Sequence, residues 1–223
     1  MPRRATQGRG MLPLVFAAAS QASAAAVVTG DVTPVTDLAT AHEHRSGIVV
    51  GLAFGGGLAG ASGYPNNALE IGDPAFYSAS GMMAGTNGSL FVLGALSDYI
   101  SVGFFFGHSA FRNGDWQSSS NRGGLRLEAF PLVSLVPMLQ GLGALAQFGV
   151  GGGSLSAVAP GVAGADGTQS FAGAGVLYEW SFAHLLGGHL GAGPSIEYDA
   201  VWSPSFEQHG LVASVRFVFY GGP

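Results

Sequence analysis

From Gly124 to Ala129 the chain alternates strictly, with Leu125, Leu127 and Ala129 on one parity and Gly124, Arg126 and Glu128 on the other. Successive side chains of a strand point to opposite faces, so this segment presents one aliphatic face and one charged face. A helix would mix the two sets around its axis, and only a period of two separates them. The same rhythm recurs along the chain. Ile100, Val102, Phe104 and Phe106 alternate with Ser101, Gly103, Phe105 and Gly107. Ala172, Ala174, Val176, Tyr178, Trp180 and Phe182 alternate with Gly173, Gly175, Leu177, Glu179 and Ser181. Leu190, Ala192, Ile196 and Tyr198 alternate with Gly191, Gly193, Ser195, Glu197 and Asp199, and Leu211, Ala213, Val215, Phe217 and Phe219 with Gly210, Val212, Ser214, Arg216 and Tyr220.

Three further segments carry a weaker form of the pattern. Ile48, Val50, Leu52 and Phe54 alternate with Val49, Gly51, Ala53 and Gly55, and Ala146, Phe148 and Val150 with Gln147, Gly149 and Gly151. In the remaining one, Phe91, Leu93 and Ala95 are the set offered to lipid against Val92 and Gly94, although both parities are apolar. Eight strands are therefore expected, over 46–61, 84–97, 100–111, 121–132, 142–156, 170–183, 188–202 and 208–220.

The charge-free run from Leu132 to Ala165 would pass a hydropathy test for a membrane helix, but Pro137, Pro160, six glycines between 141 and 153, and Gln140 and Gln147 argue against one. Charged residues make up 9% of the chain, well below the roughly 25% of soluble domains. So few charges, gathered on the inner parity beside many of the 38 glycines, fit a wall with lipid outside and a narrow polar lumen inside. The expected fold is all-β, a closed antiparallel eight-stranded transmembrane barrel. Short turns (Ser97–Tyr99, Leu185–Gly188) should mark one end and longer loops (62–83, 112–120, 157–169, 203–207) the other, with 133–141 too long and greasy for a simple turn. Trp116, Trp180, Trp202, Tyr99, Tyr178 and Tyr198 are candidate interface aromatics.

The N-terminus reads as an address. Arg3, Arg4 and Arg9 precede the apolar run Met11–Ala19, and Ala22-Ser23-Ala24 offers small residues for cleavage. Residues 1–24 are expected to be a signal peptide, 25–45 a flexible periplasmic leader, and 46–223 the barrel domain. His42-Glu43-His44 in the leader is read as solvated rather than metal-binding, and no cofactor is expected. The chain has no cysteine and a net charge of −5, which excludes a disulfide framework and offers no nucleic-acid footprint.

On the signal segment, the strand count and the closing strand Gly210–Tyr220, the chain resembles the small outer-membrane β-barrel proteins, the group that includes the OmpA transmembrane domain and porin-like barrels. Gly221-Gly222-Pro223 departs from the terminal aromatic usual in that group. The resemblance implies placement in the outer membrane after export through a cleaved signal peptide. It also implies outer-membrane lipid and lipopolysaccharide, the barrel-assembly machinery and periplasmic chaperones as partners.

The inward parity collects Arg126, Glu128, Glu179, Glu197, Asp199 and Arg216, four acids against two arginines. They are expected to form a structural network or, in a porin-like barrel, a narrow path that favours cations. A lipid-modifying enzyme like the lipid A deacylases would need a serine, a histidine and an acid together. The candidates are His108, Ser109, Asp115 and Glu128, but adjacent His108 and Ser109 should point to opposite faces. A soluble periplasmic barrel with an apolar ligand inside would reverse the two parities. The main expectation is a non-enzymatic membrane barrel with a structural or small porin-like role.

Overall fold

The computed structural model describes residues 45–135 and 137–222. The expected signal peptide, leader and His42-Glu43-His44 lie outside the described residues. The strands are β1 (Gly47–Gly63), β2 (Ser78–Ser97), β3 (Ile100–Arg112), β4 (Trp116–Ala129), β5 (Leu142–Ala157), β6 (Ala165–Tyr178), β7 (Trp180–Leu185), β8 (Gly188–Trp202) and β9 (Phe206–Gly221). Each pairs antiparallel with its neighbours, β9 returns to β1, and both β6 and β7 pair with β8. The segments β6 and β7 are thus two halves of one stave, and eight staves close a barrel. No helix among the described residues is long and apolar enough to cross a membrane, a fact that does not bear on crossing by strands.

The joint between β6 and β7 is Glu179, whose amide donates to the Gly141 carbonyl at 2.9 Å. Here the chain runs so close to its neighbours that a Cβ at Gly141 would strike the Glu179 carbonyl, and one at Gly193 the Tyr178 carbonyl. Glycine at both places admits the bend that turns Glu179 into the lumen.

One mouth, the terminal mouth, carries Arg45, Gly222, the turns 98–99 and 186–187, and the connection 130–141. The opposite loop mouth carries 64–77, 113–115, 158–164 and 203–205. These loops are shorter than expected, because β2, β4, β6 and β9 all start earlier than the sequence pattern indicates. In added stretches such as Ser78–Gly81 and Gln117–Ser120, small and polar residues stand on both parities, so the alternation fades while the backbone ladder continues. β4 also ends at Ala129 rather than at 132. Beyond it, Phe130 and Val133 turn into the barrel to pack on Leu145 and Leu177, which explains the greasy connection.

The turn between β7 and β8 places Leu186 at φ 53 and Gly187 at φ 76, the left-handed pair that a two-residue hairpin needs. Glycine meets that demand freely, whereas a leucine at positive φ costs about 1 kcal/mol. Leu186→Asn should raise the urea midpoint of the folded barrel by about 0.5–1 kcal/mol in stability. An unchanged or lowered midpoint would contradict this account of the turn.

The parity of β2 is the reverse of the one offered from sequence. Phe91 and Leu93 are buried while Leu90 and Val92 stand exposed on the outer face. Both parities are apolar there, so register decides: Leu93 pairs with inward Val49, and Phe91 with Gly51, whose missing side chain leaves room for the ring. Elsewhere the expected parities hold. Phe104 and Phe106 on β3 are 64% and 72% exposed, and Leu125 and Leu127 on β4 face out opposite buried Arg126 and Glu128.

Candidate functional site

The barrel interior is a layered stack. At its centre Glu128 accepts hydrogen bonds from Arg126 Nε at 2.8 Å and from Arg216 Nη1 and Nη2 at 3.0 and 2.9 Å. All three side chains are completely buried. The two oxygens of one carboxylate thus serve two guanidinium groups, with Arg216 held as a two-pronged fork. Arg216 reaches on to Glu179 at 3.3 Å, and Glu179 lies 4.0 Å from Arg45 Nε. On the other side Arg126 approaches Glu197 at 4.0 Å, and Glu197 also accepts from Gln147 at 2.6 Å and Ser195 at 3.1 Å. One layer further, Arg122 pairs with Asp199 at 2.6 Å.

Aromatic rings supply the faces that the carboxylates leave. Phe91 lies beneath both Arg126 and Arg216, at 4.4 and 5.2 Å from ring centre to guanidinium carbon. Arg122 sits over Phe171, and Arg45 over Phe130 at 3.7 Å. A buried guanidinium that gains a carboxylate edge and an aromatic face offsets much of its desolvation cost.

All six lumen residues named from sequence are in this network. The alternation missed two arginines. Arg122 shares the parity of Arg126 and is legible from it, whereas Arg45 precedes β1, at the end of the stretch expected to be leader. With them the described interior holds four arginines and four acids, so the expected acidic excess does not hold.

The network is enclosed by apolar layers. Towards the loop mouth lie Met83, Phe111, Leu155, Phe206 and Val212, and at the terminal mouth Phe130, Val133, Leu145 and Leu177. Arg45 braces the latter, its amide bonded to Asp98 Oδ1 at 2.9 Å and its Nη2 to the Gln140 carbonyl at 3.3 Å. At the other mouth Ser78 reaches across to the Ala163 carbonyl at 2.8 Å, while Tyr64 donates to the Ser205 carbonyl at 2.7 Å and so extends the β1–β9 ladder by one bond.

The candidate catalytic residues do not meet. Ser109 is buried and bonded to Ser120 at 2.8 Å, while His108 is on the outer face, bonded to Asn121 at 2.9 Å. Glu128 is committed to its two arginines. A hydroxyl–imidazole–carboxylate line that the sequence did not suggest lies outside on β8 and β9. There Tyr198 Oη is 2.7 Å from His209 Nδ1, and His209 Nε2 is 2.6 Å from Glu207. Neighbouring Trp202 is exposed beside it, and a rim of this composition suits a membrane interface. Tyr99 and Trp180 are exposed nearer the terminal mouth, whereas Trp116 packs inward against the loop-mouth cluster rather than standing at the interface. The described residues contain no group of three or more His, Asp or Glu able to hold a metal ion.

Greasy outside and charged inside, closed by eight antiparallel staves, this is a β-barrel of the outer-membrane type. No family model matches the chain, and no curated protein sequence matches it. Among solved structures it is similar to Ail, the attachment invasion locus protein of Yersinia pestis, at 12% identity and a TM-score of 0.48, covering 78% of this chain and 99% of that one. It is also similar to the N-terminal β-barrel domain of Pseudomonas aeruginosa OprF at 14% identity and a TM-score of 0.38, covering 77% and 98%. Neisserial surface protein A follows at 15% identity and a TM-score of 0.34, covering 77% and 96%. These are small outer-membrane β-barrels, the class the sequence resembles. At such scores the likeness carries no weight for function.

Proposed function

We propose that the chain is an outer-membrane barrel with a structural, non-conducting role, whose charge network holds a sealed interior together. The observation that carries this reading is the reversal of faces. Eight charged side chains are buried inside, while large aliphatic and aromatic side chains cover the outside. In water that arrangement would expose a wide apolar belt, and in a bilayer it costs nothing. The loop mouth faces the outside of the cell, with 98–99 and 186–187 as periplasmic turns. Residues 1–24 serve as the cleaved signal peptide and 25–44 as the leader, with Arg45 part of the barrel, and assembly runs through periplasmic chaperones and the barrel-assembly machinery.

Two features support a sealed barrel over a porin-like one. Apolar layers close both mouths, and the interior charges balance, so no field draws ions of one sign. Envelope fractionation should place the mature chain in the outer membrane, migrating faster on a gel before boiling than after. A freely soluble chain with no such shift would end the reading. In planar bilayers the refolded chain should show no steady conductance. A reproducible, ion-selective conductance would restore the porin-like alternative. The lipid-modifying alternative lacks an assembled site, and unchanged lipid A mass spectra on expression of wild-type and His108→Ala chains would agree with that.

A further inference from the structure

Above the lipid-facing belt, strands β2 to β5 share an outward hollow of about 520 Å3, within the range of small-molecule sites. Two cross-strand rows build it. One runs Ala84, Arg112, Gln117, Ser156, and the next Thr86, Ala110, Ser119, Ser154. Alanines at two of these positions keep the floor low, and hydroxyls and an amide provide hydrogen-bonding groups around it. Arg112 stands at its edge. It is the one exposed arginine among the described residues, and it has no hydrogen-bond or ion-pair partner among them. Every other described arginine is spent on the interior network.

Position distinguishes this hollow from an ordinary polar rim. The next outward row is Gly88, His108, Asn121 and Gly152, and the one after it Leu90, Phe106, Gly123 and Val150. A molecule seated at Arg112 would therefore continue, past a low step with glycine on β2 and β5, onto the apolar belt. That order of cation, hydroxyls and then hydrocarbon surface is the order of groups in an anionic glycolipid.

We propose that this face binds a phosphorylated glycolipid of the outer leaflet, with Arg112 on a phosphate, the serines, Thr86 and Gln117 on the sugar, and an acyl chain along Phe106 and Leu90. The proposal rests on the membrane reading above. The guanidinium fork suits phosphate oxygens in both shape and charge.

The test uses the refolded chain in detergent micelles, with fold checked by heat-modifiable migration. Binding is read by native mass spectrometry with bisphosphorylated lipid A and with its dephosphorylated form. Arg112→Glu should weaken binding of the phosphorylated lipid about tenfold, with Arg112→Lys in between. Ala110→Trp, which fills the hollow without changing its charge, should weaken it comparably. The dephosphorylated lipid should bind wild type as weakly as the phosphorylated lipid binds Arg112→Glu, and millimolar inorganic phosphate should not compete. Unchanged binding by either Arg112→Glu or Ala110→Trp would overturn the site. Equal binding of the two lipid forms, or displacement by phosphate alone, would overturn the glycolipid assignment. A wild-type chain that fails to fractionate with the outer membrane sinks the barrel reading itself, whereas a correctly located chain whose variants bind unchanged sinks only this inference.

Discussion

Glu128→Ala should unfold the barrel at markedly lower urea, with a loss of about 3–5 kcal/mol. The carboxylate accepts from Arg126 at 2.8 Å and from Arg216 at 3.0 and 2.9 Å, where none of the three side chains reaches solvent. Its removal leaves two guanidinium groups side by side in a site that cannot hydrate them. The ring of Phe91 beneath both cannot replace a charge. Asp199→Asn should cost less, because Asp199 is paired with Arg122 alone among the described arginines. Both are measured as urea midpoints of the heat-modifiable form in phospholipid vesicles. A Glu128→Ala midpoint within 1 kcal/mol of wild type would show that water enters the centre and that the network does not hold the interior together. Removing Glu128 and Arg216 together, as Glu128→Gln with Arg216→Met, should recover part of the loss, since the pair is then absent rather than broken.

The second large effect is expected on the opposite face. Phe104 pairs across the ladder with Val92 on β2 and Leu125 on β4, and all three face outward, in the middle of the apolar belt. Phe104→Arg should destabilise the barrel in a bilayer by about 2–4 kcal/mol, the cost of a cation near the midplane on a lipid-facing strand. Leu69→Arg, in the exposed loop between β1 and β2, should be neutral. In a soluble barrel the Phe104 variant would be harmless and would even improve solubility. A neutral result in vesicles would therefore count against membrane insertion, independently of any fractionation.

What could be read from the chain follows from where the two faces differ in chemistry. On β4 and β9, Arg126, Glu128 and Arg216 alternate with aliphatics, so each inward position is marked by a residue lipid would reject. On β2 the run Leu90-Phe91-Val92-Leu93 marks neither face, and only its pairing with Val49 and Gly51 sends Phe91 inward under the two arginines. The opposite facing of His108 and Ser109 was also legible, because the two are adjacent on a strand. The line Tyr198–His209–Glu207 was not, because it depends on which residues of β8 and β9 stand opposite each other, with Tyr198 beside Leu211 and His209 beside Ala200.

Period-two alternation by itself determined the strand character of the chain, the number of staves and six of the eight described inward charges, since parity is a local property of an extended backbone. The loop ends, the apolar layers at both mouths and the balance of charge were decided only in three dimensions. Arg45 joins the network because β1 delivers it beside Glu179 and Phe130, residues more than eighty positions away. Phe130 and Val133 pack on Leu145 and Leu177 at the terminal mouth because the chain after β4 folds back into the barrel. An interior counted as acidic on paper thus becomes, once distant segments meet, one whose described charges balance.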